Sequence, residues 1–270
     1  MNEPRVSEER KQYLKALSRK KLAINTCRIL ILVCFFLFWE LAARAGLIDD
    51  FIMSSPSRIL KTIFKLYSSK ELFSHVGVSC LETVIGFSLG TLAGTCIAIA
   101  LWYSPFLSRV LDPYLVVLNA LPKTALGPIF IVWIGAGPES IIAMTLAISL
   151  IVTILDMHNG FLSTDGEKIT LMQAMGASRA QLLVKLVIPA NFSTLINALK
   201  VNVGLSWVGV IMGEFLVSKA GLGYLIVYGS QVFKMDLVMA TVIILAFCAA
   251  VMYLAVLGCE KALKKYMGVS

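Results

Sequence analysis

Ser163–Ala190, S-T-D-G-E-K-I-T-L-M-Q-A-M-G-A-S-R-A-Q-L-L-V-K-L-V-I-P-A, is the longest polar interruption in the second half of a chain that otherwise reads as membrane. Thr164 with Glu167 has the form of a capping box, and Ser178 with Gln181 forms another, so two helix starts are predicted fourteen residues apart. Gly176 lies between them and can take a positive φ, which suits a helix end followed by a sharp turn. Pro189 is expected to stop the second helix. The reading is a short helix, a glycine turn and a second short helix, hung between two apolar spans. An interfacial connector without a partner would have the same pattern. A DNA-reading helix–turn–helix is disfavoured by the membrane flanks.

Hydrophobic residues make up 58% of the 270 residues and charged ones only 15%. Mean hydropathy is +0.84. A soluble domain of this size needs more charged surface, so an all-α integral membrane protein is expected. Cys27, Cys34, Cys80, Cys96, Cys248 and Cys259 are scattered in or beside apolar runs without a C-x-x-C pair, and read as small buried hydrophobes rather than disulfides or metal ligands. No metal site is expected. The net charge of +8 marks cytoplasmic segments in a membrane protein rather than a nucleic-acid partner.

In chain order, residues 1–26 are polar and basic, and a first span over about 27–47 reads as a retained anchor with Trp39 as an interface residue. Residues 51–75 suggest an amphipathic helix on the outer surface, capped by Ser57, with Ile59, Leu60, Ile63, Phe64 and Leu66 on one side. The second span, about 76–102, carries Gly86, Gly90 and Gly94 at four-residue intervals, a face that lets another helix approach closely. The third is broken by Pro122, Gly127 and Pro128; the alternative is a cytoplasmic-side helix over 107–121 followed by a short span from Pro122. A fourth span covers about 140–157, a fifth 195–217 with Gly209 and Gly213, and a sixth 237–257. The expected organisation is thus a basic segment 1–26, a six-span domain 27–260 with the loop at about 163–190, and a basic tail 261–270. Six spans place both ends on one side. That side holds fifteen lysines and arginines (the eight from Arg5 to Arg28, then Arg109, Lys168, Arg179, Lys185, Lys261, Lys264 and Lys265). The other holds six: Arg58, Lys61, Lys65, Lys70, Lys219 and Lys234. The bias puts the termini and the loop in the cytoplasm.

Ionisable and polar residues at membrane depth suggest a solute path of Asn119, Lys123 and Thr124 at the broken span, with Asn202, Ser206, Trp207 and Glu214 opposite. Lys123 beside half-helix N-termini favours a small anionic or polar organic solute. It could equally snorkel to headgroups, as Lys200 is expected to do. Glu214 could sit at the outer rim with Lys219, and Asn202 and Ser206 could bond only between helices. With two histidines, His75 and His158, and no G-x-S-x-G, an intramembrane hydrolase or a haem carrier lacks its residues. An ion-coupled secondary transporter remains the competing reading, with Glu214 as proton carrier. No G-x-x-x-x-G-K-[ST] loop is present, so ATP would have to act through a partner.

The loop resembles the E-A-A-x(3)-G-x(9)-I-x-L-P coupling loop of binding-protein-dependent ABC importer permeases. Gly176, Leu186, Ile188 and Pro189 take the glycine, isoleucine, leucine and proline at the family spacing. Thr170, Leu171 and Met172 replace E-A-A, a departure on the docking helix. L-N-A-L-P-K-T-A-L-G-P-I-F-I-V-W-I-G-A-G-P-E-S, the S-P-S at Ser55, and G-E-F-L-V-S-K-A-G-L-G-Y-L-I from Gly213 resemble the nitrate, sulfonate and taurine permeases. The group is also similar to permeases for thiamine pyrimidine precursors. The resemblance implies a type I importer bundle, a transport subunit rather than an enzyme. It implies a homodimer in the cell membrane, two ABC ATPases carrying the ATP and Mg, and an external or periplasmic solute-binding protein. Glu167, Thr170, Leu171, Met172, Ala174, Met175, Gly176, Ala177 and Pro189 would form the ATPase coupling surface.

Overall fold

The computed structural model describes residues 8–267, all of whose regular elements are helical. Residues 1–7 and 268–270, the outer ends of the two basic segments, lie outside the described residues. The elements are α1 (Glu8–Arg44), α2 (Asp50–Met53), α3 (Pro56–Ser68), α4 (Glu71–Tyr103), α5 (Pro105–Ala120), a 3₁₀ turn (Lys123–Leu126), α6 (Gly127–Ile134), α7 (Pro138–Leu162) and α8 (Gly166–Ala174). Then come α9 (Arg179–Leu182), a π turn (Leu183–Val187), α10 (Ile188–Ala190), α11 (Phe192–Val217), α12 (Leu222–Gln231) and α13 (Met235–Met267). Five helices among the described residues are long and apolar enough to cross a membrane: 13–44 of α1, then α4, α7, α11 and 235–262 of α13.

The third expected span is a bent pair. α5 and the segment Lys123–Ile134 meet at 88° around Leu121 and Pro122. Pro122 cannot donate an N–H, and its neighbour Leu121 takes an extended ψ of 136°, as a residue before proline prefers. The arm beyond the elbow is twelve residues, about 18 Å of helix against a hydrocarbon core of roughly 30 Å. The geometry is a helix up to Ala120 and a short arm after the elbow, a break at Pro122 that the discontinuous-span reading and its alternative share.

α7 is the axis of the bundle, and the glycines explain why. Gly86, Gly90 and Gly94 of α4 face Thr145, Ser149 and Thr153 of α7 in register, one turn apart. A Cβ on Gly86 would stand 2.5 Å from the Thr145 methyl, and one on Gly94 2.6 Å from the Thr153 Cβ. These three α7 hydroxyls donate to the carbonyls one turn back, at 2.9, 3.0 and 2.8 Å, so none of the three is stranded where the helices touch. On its other side α7 meets Gly209 and Gly213 of α11, which close on Thr145 and Ile141. Both glycine faces are thus used inside one chain, and neither is left to contact a second copy.

Several local expectations change. α1 starts at Glu8, so residues 8–26 continue the helix of the first span rather than preceding it. The outer helix has Ser55, not Ser57, at its N-cap position, without a side-chain capping bond, and Pro56 in its first turn. Its Ile59 and Leu66 are buried, whereas Leu60 and Phe64 face outward. Cys27, Cys34, Cys96 and Cys259 are exposed, and Cys80 and Cys248 half-buried, so none is a core residue; all are free thiols. In a bilayer an exposed cysteine on a span faces lipid, which its modest polarity tolerates. Lys200 does not snorkel alone: its ammonium pairs with Glu260 of α13 at 2.7 Å, and Lys264 holds the same carboxylate at 2.8 Å.

Candidate functional site

The loop between α7 and α11 is built from its backbone outward. α8 is capped by Asp165, whose carboxylate accepts the Glu167 N–H at 2.9 Å. Thr164, the expected cap, is instead buried and accepts the Asn191 amide at 2.7 Å, which ties the two ends of the loop together. α8 ends in a Schellman motif: Gly176 N–H reaches Gln173 O at 2.9 Å, and Ala177 N–H reaches Met172 O at 3.0 Å. That closure requires the φ of +82° observed at Gly176. The second helix start carries the expected capping box, with Gln181 N–H on Ser178 Oγ at 3.3 Å and Ser178 N–H on Gln181 Oε1 at 2.8 Å.

Pro189 does not stop the second helix. The wide π turn before it accommodates a residue without an N–H, and the helical path runs on to Ala190 before turning at Asn191. Below the turn, Leu183 and Val187 pack into a core with Ala98, Met157, Phe161 and Ala198. Arg179 donates to the Tyr103 carbonyl at 2.7 Å and fastens α9 to the end of α4. α8, by contrast, buries no residue. Its Leu171 is 62% exposed and Met175, at its end, 79%. Met172, Met175, Gly176, Ala177, Gln181 and Lys185 border a hollow of about 280 Å³ between the two short helices. The expected coupling set is therefore brought to one projecting surface, except Pro189, which is exposed on α10 beyond the π turn. A firmly braced second helix carries a first helix on which Leu171 and, at its end, Met175 are exposed while Ile169 and Met172 are half-buried.

The two halves of the expected solute path separate. Lys123 donates to the Asn119 carbonyl at 3.0 Å and to its amide oxygen at 3.2 Å, so both sit together at the elbow, with half-buried Thr124 next in sequence. Asn202, Ser206, Trp207 and Glu214 are buried inside the bundle. The Asn202 amide donates to Thr91 at 3.3 Å and to Thr153, bridging α4, α7 and α11. Trp207 packs with Leu66, Val203, Leu222 and Ile244. Among the described residues no hydrogen bond joins the elbow set to the α11 set.

Glu214 is neither at the rim nor paired with Lys219. It is 1% exposed, at the N-terminus of α12. One carboxylate oxygen accepts from Ser79 Oγ at 2.5 Å, and the other from Gly223 N–H at 2.5 Å. Ser79 Oγ in turn accepts the Leu222 N–H at 2.7 Å, and His75 Nδ1 accepts that of Gly221 at 3.0 Å. The unpaired N–H groups of a helix start are satisfied by a carboxylate, a hydroxyl and an imidazole from two other elements. G-L-G has its spacing for this reason. Gly221 has φ +113°, and the Glu214 carboxylate occupies the place its Cβ would take. A Cβ on Gly223 would come within 2.7 Å of the Glu214 Cβ. Sequence reasoning missed Ser79 and His75 here; the signal was a span-buried glutamate seven residues before a G-x-G that opens a helix.

The family profile described as "Binding-protein-dependent transport system inner membrane component" matches residues 86–267. A relative from Haemophilus influenzae, described as a probable ABC transporter permease protein, is 28% identical across 84% of this chain and 92% of its own. The taurine transport system permease protein TauC of Escherichia coli is 23% identical across 92% of this chain and 90% of its own. An inward-facing structure of the MetNI methionine ABC transporter superposes with a TM-score of 0.62 at 19% identity, covering 70% of this chain and 94% of that one. At that identity the likeness concerns the fold.

Proposed function

Because this chain belongs to the binding-protein-dependent transport system inner membrane components, we propose that it is the membrane-crossing subunit of an ATP-driven importer for a small anionic or polar organic solute. The observation that carries the reading is the asymmetry of the loop. Its second helix is bonded and packed into the bundle, while α8 projects with Leu171 and Met175 uncovered. A helix with exposed apolar side chains, held on a rigid base, is what a partner must grip to move the bundle. Two ABC ATPases, which bring ATP and Mg, would each take such a loop; a second copy of this chain completes the pathway, and a solute-binding protein delivers from the far side. The charge bias of the sequence supports termini and loop at residues 163–190 in the cytoplasm, within the cell membrane.

Glu167, Thr170, Leu171, Met172, Ala174, Met175, Gly176 and Ala177 form the contact, and ATP-driven closure of the partners rocks the bundles between inward and outward access. Asn119, Lys123 and Thr124 at the elbow are the solute-path residues this reading keeps. Asn202 and Glu214 brace the helices through their hydrogen bonds, and Trp207 does so through packing. Similarity to a taurine permease supports a sulfonate-sized solute. The test is uptake into proteoliposomes holding this chain, its ATPase and its binding protein. Accumulation should require ATP and persist when ion gradients are collapsed. Uptake driven by a gradient without ATP would instead establish the ion-coupled reading.

A further inference from the structure

The end of the bundle opposite the loop holds a cavity of about 710 Å³, walled by α3, the start of α4, α12 and the turn into α13. Small-molecule sites run from roughly 300 to 1,000 Å³. One wall is a column of three rings. His75 lies 5.9 Å from Tyr224 at 17°, and Tyr224 lies 6.0 Å from Tyr228 at 18°, so the faces are nearly parallel. The bond from Gly221 N–H to Nδ1 fixes the imidazole at the head of the column.

Cations border the rings. The Lys234 ammonium stands 5.9 Å from the Tyr228 centroid, and Lys65 of α3 contributes a second. Among the described residues neither ammonium is in an ion pair, whereas Arg58 and Asp236 of the same wall hold each other at 2.9 Å. Asp236 also accepts from Ser54 Oγ at 2.7 Å, which leaves Glu71 as the other carboxylate on the lining. Packing alone does not call for stacked rings beside two ammonium groups that have no carboxylate partner among the described residues, around a space of this size.

We propose that this cavity binds a small organic oxoanion with a flat or apolar body. The body lies along the edges of the Tyr224 and Tyr228 rings, the oxoanion lies between Lys65 and Lys234, and an amine on the same solute would meet Glu71. The inference rests on the importer reading and places a first solute contact at the mouth of the permease, away from the elbow.

The test uses the complex of this chain with its ATPase in phosphatidylcholine nanodiscs, without the binding protein, and benzenesulfonate as the probe. Saturable binding is expected, with neutral benzenesulfonamide failing to compete. Lys234→Met should weaken it roughly tenfold, the loss of one charge-assisted contact. Lys234→Arg, which keeps the charge, should bind as the parent does, and that separates ligand recognition from folding. The proposal is overturned if benzenesulfonate does not bind, if the sulfonamide competes equally, or if Lys65→Met and Lys234→Met both leave binding unchanged. Loss of binding when phosphatidylglycerol is added would assign the cavity to a lipid headgroup and overturn it as well. Uptake by the same complex, with its binding protein restored, is scored separately. ATP-dependent uptake without benzenesulfonate binding sinks this inference alone; absence of ATP-dependent uptake sinks the importer reading.

Discussion

Replacing Gly176 isolates the turn that presents α8 from everything else the loop does. Its φ is +82°, and a Cβ built there meets no atom within 4 Å. A side chain at this position therefore acts on the backbone and not through a clash inside the chain. An L-residue in the left-handed region costs about 1–2 kcal/mol, and a β-branched one more. Because α8 buries nothing, that cost falls on the ratio of properly turned to unwound loop. A cost of about 1–2 kcal/mol changes such a ratio roughly 5–30-fold. Gly176→Val should thus insert normally, keep its membrane level and lose most ATP-driven uptake. Gly176→Ala should fall between, and Gly176→Asn, which visits this region readily, should stay close to the parent. Gly176→Asp is nearly isosteric with Asn, so a further loss in Asp over Asn measures added charge at the partner contact. Membrane level, ATPase co-purification and uptake should be read on each variant. If Val transports like the parent at equal expression, the turn does not transmit force; if Asn fails as badly as Val, side-chain bulk at the contact and not backbone strain is the cause.

Glu214→Ala leaves the Ser79 hydroxyl and the Gly223 N–H without their buried acceptor, which should cost about 2–5 kcal/mol, while Glu214→Gln keeps one acceptor oxygen and should lose less. Thermal unfolding in detergent, followed by the loss of a monodisperse elution peak, checks the order; equal stability of Ala and parent would remove the assigned bracing role. Gly90→Ala drives a methyl into Ser149 Oγ and should destabilise by about 1–3 kcal/mol, and Ser149→Ala in the same chain should recover part of it. Additive losses in that double variant would mean that α4 and α7 are not in the described register.

The sequence made the loop legible because its signals are local. A serine three residues before a glutamine, and a glycine at a helix end, each fix a hydrogen-bond pattern within a few residues. The glycine faces were legible as close approach, yet their partner was not. Gly86, Gly90 and Gly94 announce only that something comes near, and Thr145, Ser149 and Thr153 are ordinary small residues of an apolar run. The first cap moved by one residue because Asp165 competes with Thr164 for the same N–H groups, and Thr164 has a better use across the loop. Pro189 misled for a related reason. Its lack of an N–H ends a helix only where the preceding turn cannot widen, and here the π turn over Leu183–Val187 widens it.

The polar residues of α11 show where a one-dimensional reading of membrane depth divides two kinds of site wrongly. In hydrocarbon every polar group needs a partner, so a buried Glu or Asn marks a pathway or a joint between helices with the same sequence signature. What separates them is whether the donors and acceptors are already taken. Glu214 has both oxygens occupied by groups from α4 and α12, and the Asn202 NH2 is shared between α4 and α7, while Asn202 Oδ1, Ser206 Oγ and Trp207 Nε1 are buried without a hydrogen-bond partner among the described residues. Lys123 reaches only its own helix turn, at Asn119, and stays within reach of solvent or solute. Lys65 and Lys234 reach no carboxylate among the described residues, although a cavity opens beside them. Uncommitted charge next to open space, rather than charge at depth, is therefore the feature that ranks solute-handling residues here. It moves the weight from the middle of α11 to the elbow and to the mouth of the bundle.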